Sequence, residues 1–358
     1  MRAAVLMGHG GPEMLQVRDD VPVPVPAADE VLIEVSACGI NNTDINTRVG
    51  WYSKTVTGAT SGAGFDQAQA GDSTWGGRGL EFPRIQGADV CGRVVTVGSE
   101  ADESLRGLRV LVDSWIRHPD DPDRRELTGY LGSERDGGFA EYCAVPARNV
   151  YPIETPLSDV ELATFACSWS TAEYMLQRVS LGAGQSVAVT GASGGVGSAL
   201  VQLAKRRDAR VVAVAGRSKL DGVAALGPDA VVARGGNRVP EAAARANGGP
   251  FDVVADVVGG PDFEGWLNVL RRGGRFVTSG AIAGPMVELD LRTLYLKDLE
   301  LHGATVLAPE VFADLVGYIE RAEVTPVVAG TFPLEEIHAA QAAFERKEHI
   351  GSLVITLR

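Results

Sequence analysis

The chain has 358 residues, a length typical of about two domains. Hydrophobic residues make up 45% of it and charged residues 22%, which is the balance of a globular protein with a sizeable core. The net charge of -13 argues against a protein that binds nucleic acid or anionic membranes, because such proteins are usually basic. We therefore expect a small-molecule partner, and neither nucleic acid nor a membrane.

The four cysteines, Cys38, Cys91, Cys143 and Cys167, lie far apart and form no CxxC pair. This spacing predicts neither a disulfide framework nor a zinc knuckle. The apolar stretch at the start is too short for a signal peptide, and no run of about 20 apolar residues exists to span a membrane. These features predict a cytoplasmic protein.

The first third of the chain is predicted to be β-rich. Residues 30–35 and 92–98 are β-branched runs bounded by turn residues, which predicts strands. Residues 53–79 are rich in Gly, Ser, Ala and Thr and show no periodicity. Loops of this length are either functional lids or disordered segments, and both readings stay open.

From about Leu157 onwards, the sequence pattern changes to alternating helices and strands. The spacing of apolar residues predicts helices over residues 160–179 and 198–205. Alternation of strands with helices predicts a parallel sheet with crossovers, and residues 351–357 form a final strand that we expect to return to the first domain. The strands predicted for the parallel sheet cover residues 186–190, 210–215, 252–258, 274–279 and 300–305.

The strongest motif is a glycine-rich turn between a buried strand and a helix. Glycine allows the backbone to approach a pyrophosphate, and the helix N-terminus offers free N–H groups to the anion. Ala192 occupies the first glycine slot of the usual pattern, and a glycine-rich turn without a ligand is the alternative. The predicted cofactor-binding residues of this turn are Gly191, Ala192, Ser193, Gly194, Gly195, Val196 and Gly197.

The end of the next strand indicates the choice of cofactor. An acidic residue here usually holds the ribose 2′-hydroxyl of NAD, but the segment is Gly216, Arg217, Ser218 and Lys219. The two cations and the hydroxyl suit a 2′-phosphate, which predicts NADP(H). The alternative is that both cations are solvated surface residues.

Three further segments complete a resemblance to a known family. Residues 37–44, 86–94 and 136–142, with the glycine turn, resemble a medium-chain dehydrogenase/reductase of the zinc-free quinone oxidoreductase type. The resemblance implies an α/β protein with a GroES-like β-rich catalytic domain over residues 1–153 and 308–358. A doubly wound Rossmann domain with a parallel sheet would occupy residues 154–307.

The resemblance also implies that no zinc is bound. The first zinc-ligand cysteine of the superfamily falls at Asn41, and its Gly-His-Glu segment is Gly87, Ala88 and Asp89 here. Residues 115–134, which match the structural zinc lobe, contain no cysteine. Recruitment of a metal by Cys38 or Cys91 with Asp89 is the alternative, although such cysteines are more often small buried residues.

Asn41 and Tyr52 are the predicted catalytic residues. Asn41 would donate a hydrogen bond to a substrate carbonyl or orient the nicotinamide ribose, and Tyr52 matches a pocket tyrosine of the quinone reductases. A second tyrosine of those relatives falls at Asn46. Asp44 and Arg48 are predicted first as a structural ion pair and second as residues that shape the cofactor site.

The resemblance also implies a nicotinamide cleft between the domains. Members of this family commonly dimerise through the edges of their Rossmann sheets, so the resemblance implies a homodimer that is joined at residues 300–305. The remaining predicted cleft residues are Thr171, Val257, Val258, Ser279, Gly280 and Ala281.

Without zinc, hydride transfer needs an acceptor that conjugation already polarises. We therefore expect NADPH-dependent reduction of a quinone or an α,β-unsaturated carbonyl compound. The alternatives are an alcohol or aldehyde dehydrogenase with a non-standard zinc site, and a non-catalytic NADPH-binding protein.

Overall fold

The computed structural model describes residues 1–60, 80–236 and 238–357. The first half of the chain is mainly strands. Its elements are β1 (Ala3–Leu6), β2 (Leu15–Arg18), β3 (Glu30–Ile40), α1 (Asn42–Arg48), β4 (Arg84–Ile85), β5 (Asp89–Val97), β6 (Arg109–Val112), β7 (Trp115–Ile116), β8 (Gly129–Tyr130), β9 (Tyr142–Pro146) and β10 (Val150–Pro152).

The second half alternates helices and strands. Its elements are α2 (Asp159–Leu162), α3 (Ser168–Arg178), β11 (Ser186–Val189), α4 (Gly195–Arg206), β12 (Arg210–Gly216), α5 (Leu220–Ala224), β13 (Ala230–Arg234), α6 (Val239–Asn247), β14 (Phe251–Asp256), α7 (Phe263–Asn268), β15 (Leu270–Thr278), α8 (Leu291–Leu296), β16 (Glu300–Gly303), α9 (Pro309–Glu320), β17 (Val328–Pro333), α10 (Ile337–Arg346) and β18 (Ser352–Thr356).

A six-stranded parallel sheet organises the second half, in the order β13-β12-β11-β14-β15-β16. Its central strands are runs of buried Val and Ala, because helices cover both faces of the sheet. The strand order reverses between β11 and β14, and this reversal opens a crevice at the carboxyl ends of the strands. The predicted doubly wound fold is confirmed.

The second large sheet is built from both ends of the chain. One edge of β3 pairs with β5, and the other pairs first with β9 and then with β18. β18 lies between β3 and β17, so the predicted return of the last strand to the β-rich first part is confirmed. The domain boundaries at residues 153/154 and 307/308 stay a prediction.

The single helix predicted over residues 160–179 is wrong. α2 ends at Leu162 and α3 begins only at Ser168. Every residue from 162 to 170 is buried, so the apolar periodicity carries no mark of the interruption. The break places the backbone N–H of Cys167 against the carboxylate of Asp89.

None of the helices within the three described ranges is long and apolar enough to cross a membrane.

Candidate active site

A cleft between the two large sheets brings most of the predicted site residues together. Its walls come from the start of α1, the starts of α3 and α4, and the loops after β11, β14 and β15. The predicted residues that line it are Asn41, Tyr52, Thr171, Gly191, Gly194, Gly195, Val196, Gly197, Val257, Ser279, Gly280 and Ala281.

The glycine turn joins β11 to α4 in a conformation that needs glycine. Gly191 has a φ of 59°, in the left-handed region that favours glycine. A Cβ on Gly197 would lie 2.1 Å from the carbonyl oxygen of Gly191, so a side chain there would collide with the backbone. Gly194 is the N-cap of α4, and the first turn of this helix, whose N–H groups have no partner within the helix, lines the cleft.

Asp256 shapes the neighbouring turn at the end of β14. Its carboxylate accepts hydrogen bonds from the Thr190 hydroxyl at 2.6 Å and from the backbone N–H groups of Val258 at 3.2 Å and Gly259 at 2.8 Å. Burial raises the pKa of Asp256. Val257 faces the cleft, whereas Val258 is not among the lining residues.

The other predicted residues that do not line the cleft lie beside it. Arg217 and Ser218 are exposed, and the Nζ of Lys219 donates to Ser193 Oγ at 3.3 Å. Gly216 ends β12, and the Ala192 N–H donates to the carbonyl oxygen of Val214. The segment after β12 is therefore anchored to the glycine turn through Lys219.

Lys347 is a residue of this region that the sequence reasoning missed. Its Nζ donates to Asn42 Oδ1 at 2.7 Å, and its carbonyl oxygen accepts from the Nζ of Lys219. Gly351 N–H donates to the Ser193 carbonyl oxygen at 2.9 Å, which holds this C-terminal segment against the glycine turn. Burial lowers the pKa of Lys347 to about 7, and the charge of Lys219 lowers it too, against an opposing effect of Glu345.

Asn41 is fixed between the end of β3 and the start of α1. Its backbone N–H donates to Asp44 Oδ2 at 2.8 Å, and its Nδ2 donates to Asp89 Oδ2 at 2.9 Å. Its Oδ1 accepts from the Ser168 hydroxyl at 3.1 Å. Burial raises the pKa of Asp44 and of Asp89 to about 7 each.

Tyr52 lines the same cleft as the glycine turn. The Asn46 Nδ2 donates a hydrogen bond to the Tyr52 hydroxyl oxygen at 3.4 Å. Asn46 therefore contacts Tyr52 even though it replaces the second tyrosine of the quinone reductases. Burial raises the pKa of Tyr52, which keeps the phenol neutral. Trp51 packs edge-on against Tyr52, with the ring centres 5.7 Å apart.

A second aromatic wall comes from the hairpin of β7 and β8. Trp115 and Tyr130 pack with their ring centres 4.6 Å apart, and both line the cleft. The Tyr130 hydroxyl hydrogen-bonds the thiol of Cys167, whose pKa burial and the nearby Asp89 raise. Sequence reasoning treated this region only as a missing zinc lobe. The aromatic residues Trp115 and Tyr130 could have indicated an aromatic wall of the cleft.

The predicted ion pair between Asp44 and Arg48 is wrong. The guanidinium of Arg48 pairs with Glu345 at 2.9 Å and donates to Gln341 Oε1 at 3.0 Å. Asp44 instead accepts from backbone N–H groups of Asn41 and Gly87. One turn of helix separates the two residues, but their side chains leave α1 in different directions because each meets a partner on a different element.

Two family sequence models match the chain. One describes an alcohol dehydrogenase GroES-like domain and matches residues 27–155, and the other describes a zinc-binding dehydrogenase and matches residues 195–321. A solved structure from Sinorhizobium meliloti 1021, named as a candidate alcohol dehydrogenase, is 48% identical with a TM-score of 0.90, covering 99% of this chain and 96% of that one. The chain belongs to the medium-chain dehydrogenase/reductase superfamily.

Curated members of the superfamily match along nearly the whole chain. The acryloyl-coenzyme A reductase of Metallosphaera sedula is 28% identical and covers 99% of this chain and 100% of its own length. The quinone oxidoreductase of Mus musculus is also 28% identical, over 96% of this chain and 92% of its own. These matches and the two sheets confirm the predicted superfamily, its GroES-like domain and its Rossmann domain.

The donor atoms of this chain fit the zinc of other superfamily members poorly. Asn41 stands at the first ligand position with its amide already hydrogen-bonded, and Ala88 offers no donor at the second. Within the described ranges, no group of three or more His, Cys, Asp or Glu side chains is placed to hold a metal ion. Absence of zinc from the protein stays a prediction.

Proposed function

We propose that the protein is an NADPH-dependent oxidoreductase that reduces quinones or α,β-unsaturated carbonyl compounds without zinc. One observation carries the proposal. The glycine turn lies in a cleft that is also lined by aromatic rings, and the neutral amide of Asn41 occupies the position of a metal ligand in the zinc-binding members of the superfamily.

The cation pair at the glycine turn supports the phosphorylated cofactor. Lys219 lies beside Ser193, Arg217 is exposed nearby, and β12 ends without an acidic residue. A 2′-phosphate at this position would find one fixed and one adjustable cation, and the N-terminus of α4 would face the pyrophosphate.

When bound, NADPH would supply a hydride to an electron-poor carbon of the substrate and leave as NADP⁺. The enolate or hydroquinone anion formed on the substrate would then take a proton from a side chain or from water. Asn41 would donate a hydrogen bond to the oxygen on which negative charge develops, and Tyr52 would offer a neutral hydroxyl from the lining of the same cleft. Trp51, Trp115 and Tyr130 supply apolar surface for a flat, conjugated substrate.

The names of the relatives are compatible with two reaction classes. Acryloyl-coenzyme A reductase and quinone oxidoreductase name conjugated acceptors, whereas the Sinorhizobium meliloti relative is named for alcohol dehydrogenation. An alcohol dehydrogenase with a non-standard zinc site is therefore the second candidate, in which Cys38 or Cys91 would bind the metal together with Asp89.

Oxidation of NADPH and of NADH against a panel of quinones, enones, enoyl-coenzyme A thioesters and aldehydes tests the proposal. We expect turnover of conjugated acceptors with NADPH, unaffected by a chelator, and less than stoichiometric zinc in the purified protein. Stoichiometric zinc with activity lost to the chelator would establish the alcohol dehydrogenase instead. Binding of NADPH without turnover of any acceptor would identify a non-catalytic binding protein.

We also propose that the protein is a homodimer joined at the β16 edge of its parallel sheet. β16 pairs on one side with β15 and ends the sheet on the other, and Leu301 is partly exposed along it. Exposed Leu291, Tyr295 and Leu296 of α8 add apolar surface nearby.

A further inference from the structure

We propose that Asp89 is a positioning residue for hydride transfer, whose carboxylate locks the amide of Asn41 in the one orientation that presents an N–H to the cleft. The inference rests on the proposed function, because it assigns a role in that reaction to a residue that does not touch the reactants.

The amide of Asn41 has a fixed orientation because its two ends meet opposite partners. Its Nδ2 donates to the Asp89 carboxylate at 2.9 Å, and its Oδ1 accepts from the Ser168 hydroxyl at 3.1 Å. A flipped amide would place Oδ1 against a carboxylate oxygen, and the two acceptors would repel each other. Among the described residues, the second N–H of this amide has no acceptor, and Asn41 lines the cleft.

Asp89 is itself held by a second contact. Its Oδ1 accepts from the backbone N–H of Cys167 at 2.5 Å, immediately before α3. The free N–H groups at the start of a helix stabilise a nearby negative charge, so α3 offsets part of the cost of burying this carboxylate. Each oxygen of the carboxylate therefore accepts one of these two hydrogen bonds.

The space around this pair is closed. A Cβ on Gly39 would lie 2.7 Å from Asp89 Oδ2, and the same Cβ would lie 2.3 Å from the carbonyl oxygen of Ala163. On the other side, a Cβ on Gly195 would lie 2.5 Å from Ser168 Oγ. Asp89 and Ser168 therefore cannot shift far. The amide of Asn41 is in this way held at a fixed position relative to the glycine turn.

The arrangement has a chemical consequence. A donor N–H stabilises an oxygen that gains negative charge during hydride transfer, whereas an acceptor at the same place would destabilise it. Asp89 does not touch the reacting atoms, but it decides which end of Asn41 does. Asp44 caps the start of α1: its carboxylate accepts from the backbone N–H of Asn41, and its own backbone N–H reaches back to the Asn41 side chain.

The central variant is Asp89→Asn. Its new side chain has one acceptor for two donors, so it must give up either Cys167 N–H or Asn41. Misplacing a catalytic group by about 1 Å costs about 100-fold in rate, so we expect kcat to fall by about 100-fold with the KM for NADPH changed by less than about threefold. Asp252→Asn is the control, because Asp252 is a partly buried acceptor of Ser186 at the opposite end of the strands. A kcat within about threefold of the native value would overturn the proposal.

A double variant separates positioning from stability. Asn41→Asp combined with Asp89→Asn restores a hydrogen bond between the two side chains with donor and acceptor exchanged. We expect it to recover the Tm lost in Asp89→Asn but not the kcat, because position 41 then presents an acceptor to the cleft. Recovery of kcat together with Tm would show a purely structural role.

Ser168→Ala is the variant to measure if Asp89→Asn does not fold. It removes the hydroxyl that holds Asn41 Oδ1 and leaves Asp89 intact, and we expect a smaller loss of kcat, about tenfold, with NADPH affinity unchanged. Unchanged kcat would contradict the proposed lock.

A fluorescence readout distinguishes this proposal from the proposed function. If the native protein turns over no acceptor, the proposed function fails, but NADPH bound to it still reports the nicotinamide environment. We expect the emission of bound NADPH to shift in Asp89→Asn relative to native protein at equal occupancy. An identical emission spectrum would overturn the role of Asp89 on its own.

Discussion

Lys347 holds an ammonium group at the rim of the cofactor cleft in a position that water reaches poorly. Its Nζ lies 3.5 Å from the centre of the Phe344 ring and donates to Asn42, while Lys219 lies close by. Two neighbouring lysines repel each other when both are charged, and a phosphate bound between them would relieve that repulsion.

We predict that NADPH binding takes up protons above neutral pH through Lys347. In the free protein this group loses its proton above about pH 7, and a nearby phosphate would raise its pKa. Affinity should therefore be highest at or below about pH 7 and fall as the pH rises. Calorimetry in two buffers of different ionisation enthalpy measures the uptake.

Lys347→Met should abolish most of this proton uptake and weaken NADPH binding at about pH 7. Lys205→Met is the control, because Lys205 pairs with Asp229 on the outside of α4. His349 does not contribute in this range, since burial lowers its pKa to about 4. Equal proton uptake in the native and Lys347→Met proteins would contradict the prediction.

Cofactor selectivity should depend on Lys219 and Arg217. A hydrogen bond to a charged group contributes about 1.5–3 kcal/mol, so Lys219→Ala combined with Arg217→Ala should weaken NADPH binding by about tenfold to 100-fold. NADH binding, measured by the same fluorescence titration, should change little. A parallel loss for both cofactors would assign these cations to the pyrophosphate instead.

The residues whose chemistry depends on near neighbours in sequence could be predicted. The glycine turn and Lys219 follow from a local pattern, and the structure places them in contact. Lys347 could not be predicted, because its contact with Asn42 arises only when β18 pairs with β3. The predicted ion pair of Asp44 with Arg48 failed because the actual partner, Glu345, lies on α10, which is remote in sequence.

At the scale of elements, the turn between β11 and α4 is the most constrained part of the cleft. Gly191 requires a positive φ, and Gly197 is packed against the backbone of residues 191 and 192. The helix N-terminus can approach a phosphate only because these two positions lack side chains.

Gly197→Ala should lower both the stability and the cofactor affinity. The added methyl would overlap the carbonyl oxygen of Gly191, and overpacking of this kind costs about 1–3 kcal/mol in the free energy of unfolding. Gly182→Ala is a matched control, since its added Cβ would meet nothing within 4 Å. Urea unfolding and NADPH titration of both variants measure the effect, and equal behaviour would disprove the packing argument.

Helices and strands were predicted correctly where glycine or charged residues bound an apolar run. All five strands predicted for the parallel sheet exist, with shifts of a few residues at their ends. β13 was missed although residues 230–233 form a short apolar run, because so short a run does not distinguish a strand from a segment of helix. Of the predicted loop over residues 53–79, residues 61–79 lie outside the described residues. Within the described part, the Thr60 N–H donates to the carbonyl oxygen of Ile282, and both residues line the cleft.

At the scale of the whole molecule, the outer edge of β16 should determine the oligomeric state. Unpaired strand edges with apolar side chains invite pairing with another strand. Leu301→Lys should therefore shift the protein from dimer to monomer in light scattering, with an unchanged circular dichroism spectrum. Leu108→Lys, at an equally exposed leucine of the other sheet region, is the control and should leave the mass unchanged. A dimer that persists in Leu301→Lys would place the interface elsewhere.

The position of β18 between β3 and β17 also sets an order of assembly. Every strand of the parallel sheet precedes residue 304, so this sheet can close while later residues are still being added at the ribosome. The antiparallel sheet cannot close at that stage, because its inner strand β18 follows every strand of the parallel sheet in the chain. Gly351 and Lys347 lie next to that strand and contact Ser193 and Lys219, so we expect a nascent chain to complete this sheet and these contacts of the glycine turn in the same step.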